Sequence, residues 1–176
     1  LVESRAEMIV LDVNLRGTMG FFDDNALAEA LTGAQGRVRT TARFRAGGNA
    51  ARELDLPLER FAALAPPVFV DSGADRDGII RHYRTRLVHE GWVIDSLATA
   101  ITPEPQIIDT SFHIDFGIDL DTIPRLPVSA LLEAGDVSDM ISGKVAIVGL
   151  GSFSAQNGAL VPRYGMVPDT AVQLLA

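Results

Sequence analysis

The chain has 176 residues, of which 47% are hydrophobic and 22% charged, with a formal net charge of -8 and no cysteine. That composition supports a substantial buried core and excludes intrinsic disorder. The acidic balance excludes a surface built to wrap nucleic acid, and the lack of cysteine excludes disulfides, thiolate zinc sites and a thiol nucleophile.

Residues 1–176 read as a single domain. No apolar run approaches the roughly 20 residues that a membrane-crossing helix needs. The chain opens at Leu1, in what reads as the end of a helix, without a basic-then-apolar leader. We therefore expect an N-terminally truncated fragment of a larger protein.

Met8 to Val13 is a short apolar run rich in β-branched residues, read as a buried strand that ends near Asp12 and Asn14. A turn at Arg16 to Gly20 follows. Asp23 or Asp24 then caps a helix running through Leu31, with Ala26, Leu27, Ala30 and Leu31 on its inner face and Gly33 beyond its end. Arg37 to Arg45 alternates: Arg37, Arg39, Thr41, Arg43 and Arg45 face one side, and Val38, Thr40, Ala42, Phe44 and Ala46 the other. Period two means a half-buried strand. Its arginine face is either a solvated face that discourages edge pairing or an anion site, since guanidinium forks suit carboxylate and phosphate.

Gly47 to Asp55 reads as a loop leading into a short helix, PLERFAALA, that stops at Pro66 and Pro67. Val68 to Val70 resumes a strand. After a turn in DSGADRDG, IIRHYRTRLV forms another strand, and the two read as a hairpin or meander. Glu90 and Gly91 allow a turn, Trp92 to Ile94 is apolar, and Asp95 or Ser96 caps a helix through Leu97 and Ile101. Ile107 to Phe116 alternates, with Phe112, Ile114 and Phe116 on one side. Val128 to Leu132 is helical, Val137 to Ile141 is a short turn or helix, and Asp169 to Leu175 is a terminal helix. Strands interleaved with short helices point to an α/β or α+β fold: one layered domain with a mixed central sheet flanked by short helices.

Between the last two helical segments lies GKVAIVGLGS, Gly143 to Ser152. Its apolar run reads as a central strand buried on both faces. A dinucleotide site would need a third glycine where Ser154 stands and a longer following helix than Asn157, Gly158 and Pro162 permit. Gly149 and Gly151 are better explained by a tight exit turn and close packing. A nucleophile elbow is absent, because neither Ser152 nor Ser154 has the required flanking glycines. His82, His89 and His113 show no metal-binding spacing. Asp75, Asp77 and Gly78 resemble part of a calcium loop, but Arg84 stands where a bidentate Glu is required, so a turn explains them. Asp12, Asn14, Asp23 and Asp24 gather at the end of the first strand, where open sheets bind ligands; cap and turn roles account for them equally well.

The order of the motifs is informative. LDVNLRG, DDNALAEAL, FVDSGADRDGIIRHYRTRL, the IDF strand end, TIPRLPVSALLEAG and ISGKVAIVGLGS together resemble the CHASE2 family of extracytoplasmic sensor domains. Asp75, Asp77, Gly78, Arg81, Ser129, Gly135, Gly143, Lys144 and Gly149 fit its pattern. The chain departs from it in MVPDTAVQLLA, which lacks the family's glycine and histidine.

The resemblance implies a domain outside the bacterial membrane, anchored by flanking segments. It would couple to a cyclase, histidine kinase, Ser/Thr kinase or diguanylate cyclase. It brings no catalytic residue, cofactor or metal, and no general ligand.

The expected function is therefore non-enzymatic sensing of a small-molecule or protein signal, with a homodimer among the assemblies it allows. The candidate ligand-binding residues are Asp12, Asn14 and Ser152 at strand ends, and Arg39 and Arg43 on the arginine face, where an anion would bind. The alternatives are a structural dimerisation module without a ligand, and a small Rossmann-like oxidoreductase or hydrolase.

Overall fold

The computed structural model describes residues 5–46, 52–102, 110–134, 138–151 and 158–176. Its elements in chain order are β1 (Met8–Leu11), α1 (Phe21–Gly33), β2 (Val38–Ala46), β3 (Arg52–Asp55), α2 (Glu59–Ala62), β4 (Pro67–Phe69), β5 (His82–Arg84), β6 (Arg86–His89), β7 (Trp92–Asp95) and α3 (Leu97–Ile101). They continue with β8 (Ser111–His113), a 3-10 turn at Leu120–Thr122, α4 (Val128–Ala134), α5 (Ser138–Ile141), β9 (Val145–Val148), β10 (Gly158–Val161), β11 (Gly165–Pro168) and α6 (Asp169–Leu175). The fold is α/β with a mixed main sheet. β1 lies between β2 and β9, parallel to both; β4 runs parallel to β2, and β3 pairs antiparallel with the second half of β2.

The all-apolar β1 follows from helices on both faces of the sheet. Ile9 packs with Val38, Leu31 and Ala34 of the α1 region and Phe61 of α2. Its neighbour Val10 points the other way, against Val68, Val70 and Leu97 of α3. Successive strand residues face opposite sides, so a strand covered on both has no polar position to show. β2 carries the expected alternation: Val38, Thr40 and Ala42 are buried, while Arg39, Thr41 and Arg43 are only partly covered.

GKVAIVGLGS does not take the central place. β9 stands at the edge of the main sheet, and all four of its residues are half-buried. Among the described residues, β1 and β2 hold the interior positions. An apolar run records that both faces meet cover, and is silent on how many neighbours the strand has along the sheet.

Three further expectations change. The helix α1 begins at Phe21 with Gly20 as its cap residue, and its inward side is Asp24, Leu27, Ala28 and Leu31, leaving Ala26 and Ala30 exposed. Asp24 instead folds back to accept the backbone N–H of Met19 at 3.0 Å. The strand in IIRHYRTRLV breaks at Thr85, so β5 pairs with β8 and β6 with β7, while Val68 belongs to β4 in the main sheet. The hairpin is thus β6–β7, turning on Glu90 and Gly91, whose φ values of 46° and 84° match a primed turn. Part of the segment read as a loop, Arg52 to Asp55, is strand β3. β10 and β11 form a second antiparallel hairpin.

Other local signals act as expected. Ser96 caps α3 by accepting from Thr99 N, and α6 spans Asp169–Leu175. Phe112, Ile114 and Phe116 share a covered side with β10, β11 and α6, whereas residues 107–109 of that segment lie outside the described residues.

Candidate functional site

β1 ends at Leu11, and the next residue keeps to the sheet: Asp12 N donates to Val148 O at 2.8 Å. Its side chain, on the face of Val10, is only 4% exposed. A carboxylate that deep needs compensation. Arg43 Nη2 and Thr41 Oγ1, the latter at 3.3 Å, donate to Oδ1, and Thr170 Oγ1 donates to Oδ2 at 3.1 Å. Arg43 also reaches Asp169 Oδ2 at 3.8 Å. Strand β2 therefore supplies Thr41 and Arg43, and the start of α6 supplies Asp169 and Thr170.

Beyond Asp12 the chain leaves the sheet. Asn14 Oδ1 accepts from the Arg16 backbone N–H at 3.1 Å and from its Nε at 3.2 Å. Arg16 Nε also lies 2.8 Å from Asp55 Oδ1 at the end of β3, but its N–H is aimed at Asn14, so Asp55 Oδ1 is held by charge without a hydrogen bond. Leu58 N donates to Leu15 O at 2.9 Å and fixes the segment after β3 against this exit loop. Between them opens a cleft of about 330 Å³, with Asp12, Asn14, Arg43, Asp55, Leu56 and Leu150 among its walls. It sits past the C-terminal ends of the parallel strands β1 and β9 and beside the middle of β2, and its size is at the small end of the range for ligand pockets, roughly 300–1,000 Å³.

The electrostatics of this end of the sheet follow from crowding. Burial, and then the neighbouring Asp12 and Asp71 carboxylates, push the Asp169 carboxyl up, while Arg43 opposes them. Tyr83 is pushed up by burial first and by the same two carboxylates, so it stays a hydroxyl and donates to Gln173 Oε1. Gln173 Nε2 in turn donates to Val70 O at 2.6 Å, tying α6 to the end of β4.

Of the candidate residues, Asp12, Asn14 and Arg43 meet in the cleft, and Arg39 does not. Arg39 Nη1 donates to Gly36 O at 2.6 Å and Val38 O at 3.0 Å, at the opposite end of β2. Four residues along a strand are roughly 13 Å apart. Ser152 lies outside the described residues. The arginine face is not assembled into an anion site: Arg37 donates to Ala6 O, Arg45 to Glu53, and Arg43 to Asp12. Asp23 and Asp24 stay with α1, and Asp24 pairs with Arg60 at 3.6 Å.

Thr41, Asp55, Asp169 and Thr170 escaped sequence reasoning. Thr41 carried the one available signal, since it sits between Arg39 and Arg43 on a face already singled out. Nothing local marks Thr170, which is 158 positions from Asp12.

Gly149 has a spatial role at this site. A Cβ there would lie 2.8 Å from Thr170 Oγ1 and 3.2 Å from Asp12 Cβ, so the glycine admits the threonine to the carboxylate. The calcium-like segment is a turn: Arg81 donates to both Asp75 and Asp77, and Gly78 takes φ 82°.

Comparisons with family models, curated proteins and solved structures return no match.

Proposed function

We propose that this chain is an extracytoplasmic, non-enzymatic sensor domain of the CHASE2 type. In this reading it belongs to a bacterial transmembrane receptor with a cyclase or kinase output, and the cleft beside Asp12 receives the signal. The observation that carries the reading is the cleft itself, placed past the C-terminal ends of parallel strands and walled by elements distant in sequence. A ligand bridging the β1 exit loop, β2 and the segment after β3 would favour one arrangement of those elements over another, and such differential affinity is what a receptor requires. Both cleft guanidiniums already face carboxylates, Arg43 to Asp12 and Arg16 to Asp55. The signal that suits them is a small polar or zwitterionic molecule rather than a lone anion.

The test is calorimetric and thermal titration with small carboxylates, phosphates and α-amino acids. A ligand at about 100 times its dissociation constant adds about 2.7 kcal/mol to stability. The reading expects at least one such response, lost in Asn14→Ala and kept in Arg39→Ala. Silence across the panel, or a response indifferent to Asn14→Ala, overturns it.

A dimerisation module is favoured by a separate observation. Val88, Trp92 and Val93 of the β6–β7 hairpin are 72%, 52% and 61% exposed. Sedimentation over a concentration range, with Val93→Lys as the probe, distinguishes this reading: self-association abolished by the lysine supports it.

A further inference from the structure

Two of the histidines form a pair that their sequence spacing conceals. His82 of β5 and His113 of β8 are direct partners in the antiparallel register, with ring centroids 4.2 Å apart. Directly opposed residues on one sheet face are close enough for their side chains to meet one small group. Behind His82 stands Asp75, whose Oδ1 lies 3.4 Å from Nδ1. That carboxylate is itself positioned: Arg81 Nη1 donates to its Oδ2 at 2.8 Å, and the turn closes through Asp75 N to Ile79 O and Gly78 N to Asp75 O. A carboxylate behind one ring nitrogen orients the ring and leaves the other nitrogen facing outward, as around metal-bound histidines.

We propose that His82 and His113 form a two-imidazole site for a divalent transition ion of the zinc, nickel or copper class, with Asp75 as the positioning residue behind His82. Metal–nitrogen bonds of about 2.0–2.1 Å at a tetrahedral centre set two imidazole centroids roughly 5 Å apart. A small opening of the two rings meets that requirement. Both side chains are accessible, His82 with 40% of its side chain exposed, so an ion can enter from solvent. The nearby carboxylates do not make the site suitable for calcium or magnesium, because Asp75 and Asp77 are held by Arg81. Imidazole donors select borderline transition ions over those hard cations. Among the described residues no three His, Asp or Glu converge on one ion, so the protein supplies two ligands and water completes the shell. The proposal is independent of the Asp12 cleft.

The experiment is titration of the chain with zinc chloride, followed by calorimetry and by the imidazole resonances in NMR. One ion should bind per chain, shifting His82 and His113 together and leaving His89 in place. His82→Gln and His113→Gln, both at accessible positions, should each weaken binding roughly tenfold or more, and Asp75→Asn by a smaller factor while both ring resonances still respond. Magnesium should produce no shift. Binding that survives both glutamine substitutions, or the absence of a saturable zinc response, overturns the proposal.

Discussion

Arg81 donates to both carboxylate oxygens of Asp77, Nη1 to Oδ1 at 3.0 Å and Nη2 to Oδ2 at 2.8 Å. With the third bond to Asp75, the guanidinium closes the turn before β5. Two acidic residues that resemble ion ligands in the sequence are thereby held by an arginine.

A pH titration reads this clamp directly. The bond to Arg81, with that from the Ile79 backbone N–H, lowers the Asp77 carboxyl from the ordinary 3.8 to about 2. A depressed carboxyl contributes stability above its unfolded value and loses it as the pH falls through the folded one. The turn should therefore hold at pH 4 and open toward pH 2. Carbon-detected NMR of Asp77 should place its midpoint near 2 in the native chain and return it toward the ordinary value in Arg81→Met.

Arg43→Ala leaves the Asp12 carboxylate buried with only two hydroxyl donors, from Thr41 and Thr170. Removing one partner of a fully buried pair costs about 3–5 kcal/mol. Arg43 is 33% exposed, so we expect a loss of about 2–3 kcal/mol after solvent screening. Urea unfolding should show a lower midpoint with an unchanged slope. Adding Asp12→Asn to Arg43→Ala should restore part of the loss, since it removes the unpaired charge.

Gly149 and Gly151 separate cleanly by substitution. A methyl at Gly149 meets Thr170 and Asp12, and overpacking of this kind costs about 1–3 kcal/mol. At Gly151 a methyl meets nothing within 4 Å among the described residues, and Gly151→Ala should stay within about 0.5 kcal/mol of the native chain. Equal effects in thermal melts would show that the contact with Thr170 does not govern this position.

Asp169 behaves in the opposite sense to Asp77. Burial first, then Asp12 and Asp71, raise its carboxyl above the ordinary 3.8, so ionising it costs folding energy. The unfolded chain loses this proton first as the pH rises. Stability from this group is therefore highest in acid and falls between the ordinary value and the raised one. Asp169→Asn should melt higher than the native chain at pH 7 in a thermal melt followed across pH. The advantage should vanish near pH 3.5; an unchanged difference across that range would refute it.

Local chemistry was legible wherever one residue decides it. Ser96 before Leu97 marks a helix start because its hydroxyl satisfies a free N–H, and the alternation from Val38 to Ala46 marks a strand because side chains alternate. The α/β class, the helix Asp169–Leu175 and the place of Asp12 and Asn14 at a strand end follow from such signals. What they omit is the partner. Apolar residues 145–148 look the same at the centre of a sheet or at its edge. Arg39 and Arg43 share a face but not a site, because a strand holds them apart. Thr170 reaches Asp12, and His113 faces His82, only through long-range strand pairing and helix docking. Those contacts depend on which surfaces meet in the packed core, and hydrophobic burial, being non-directional, leaves no local mark of that choice.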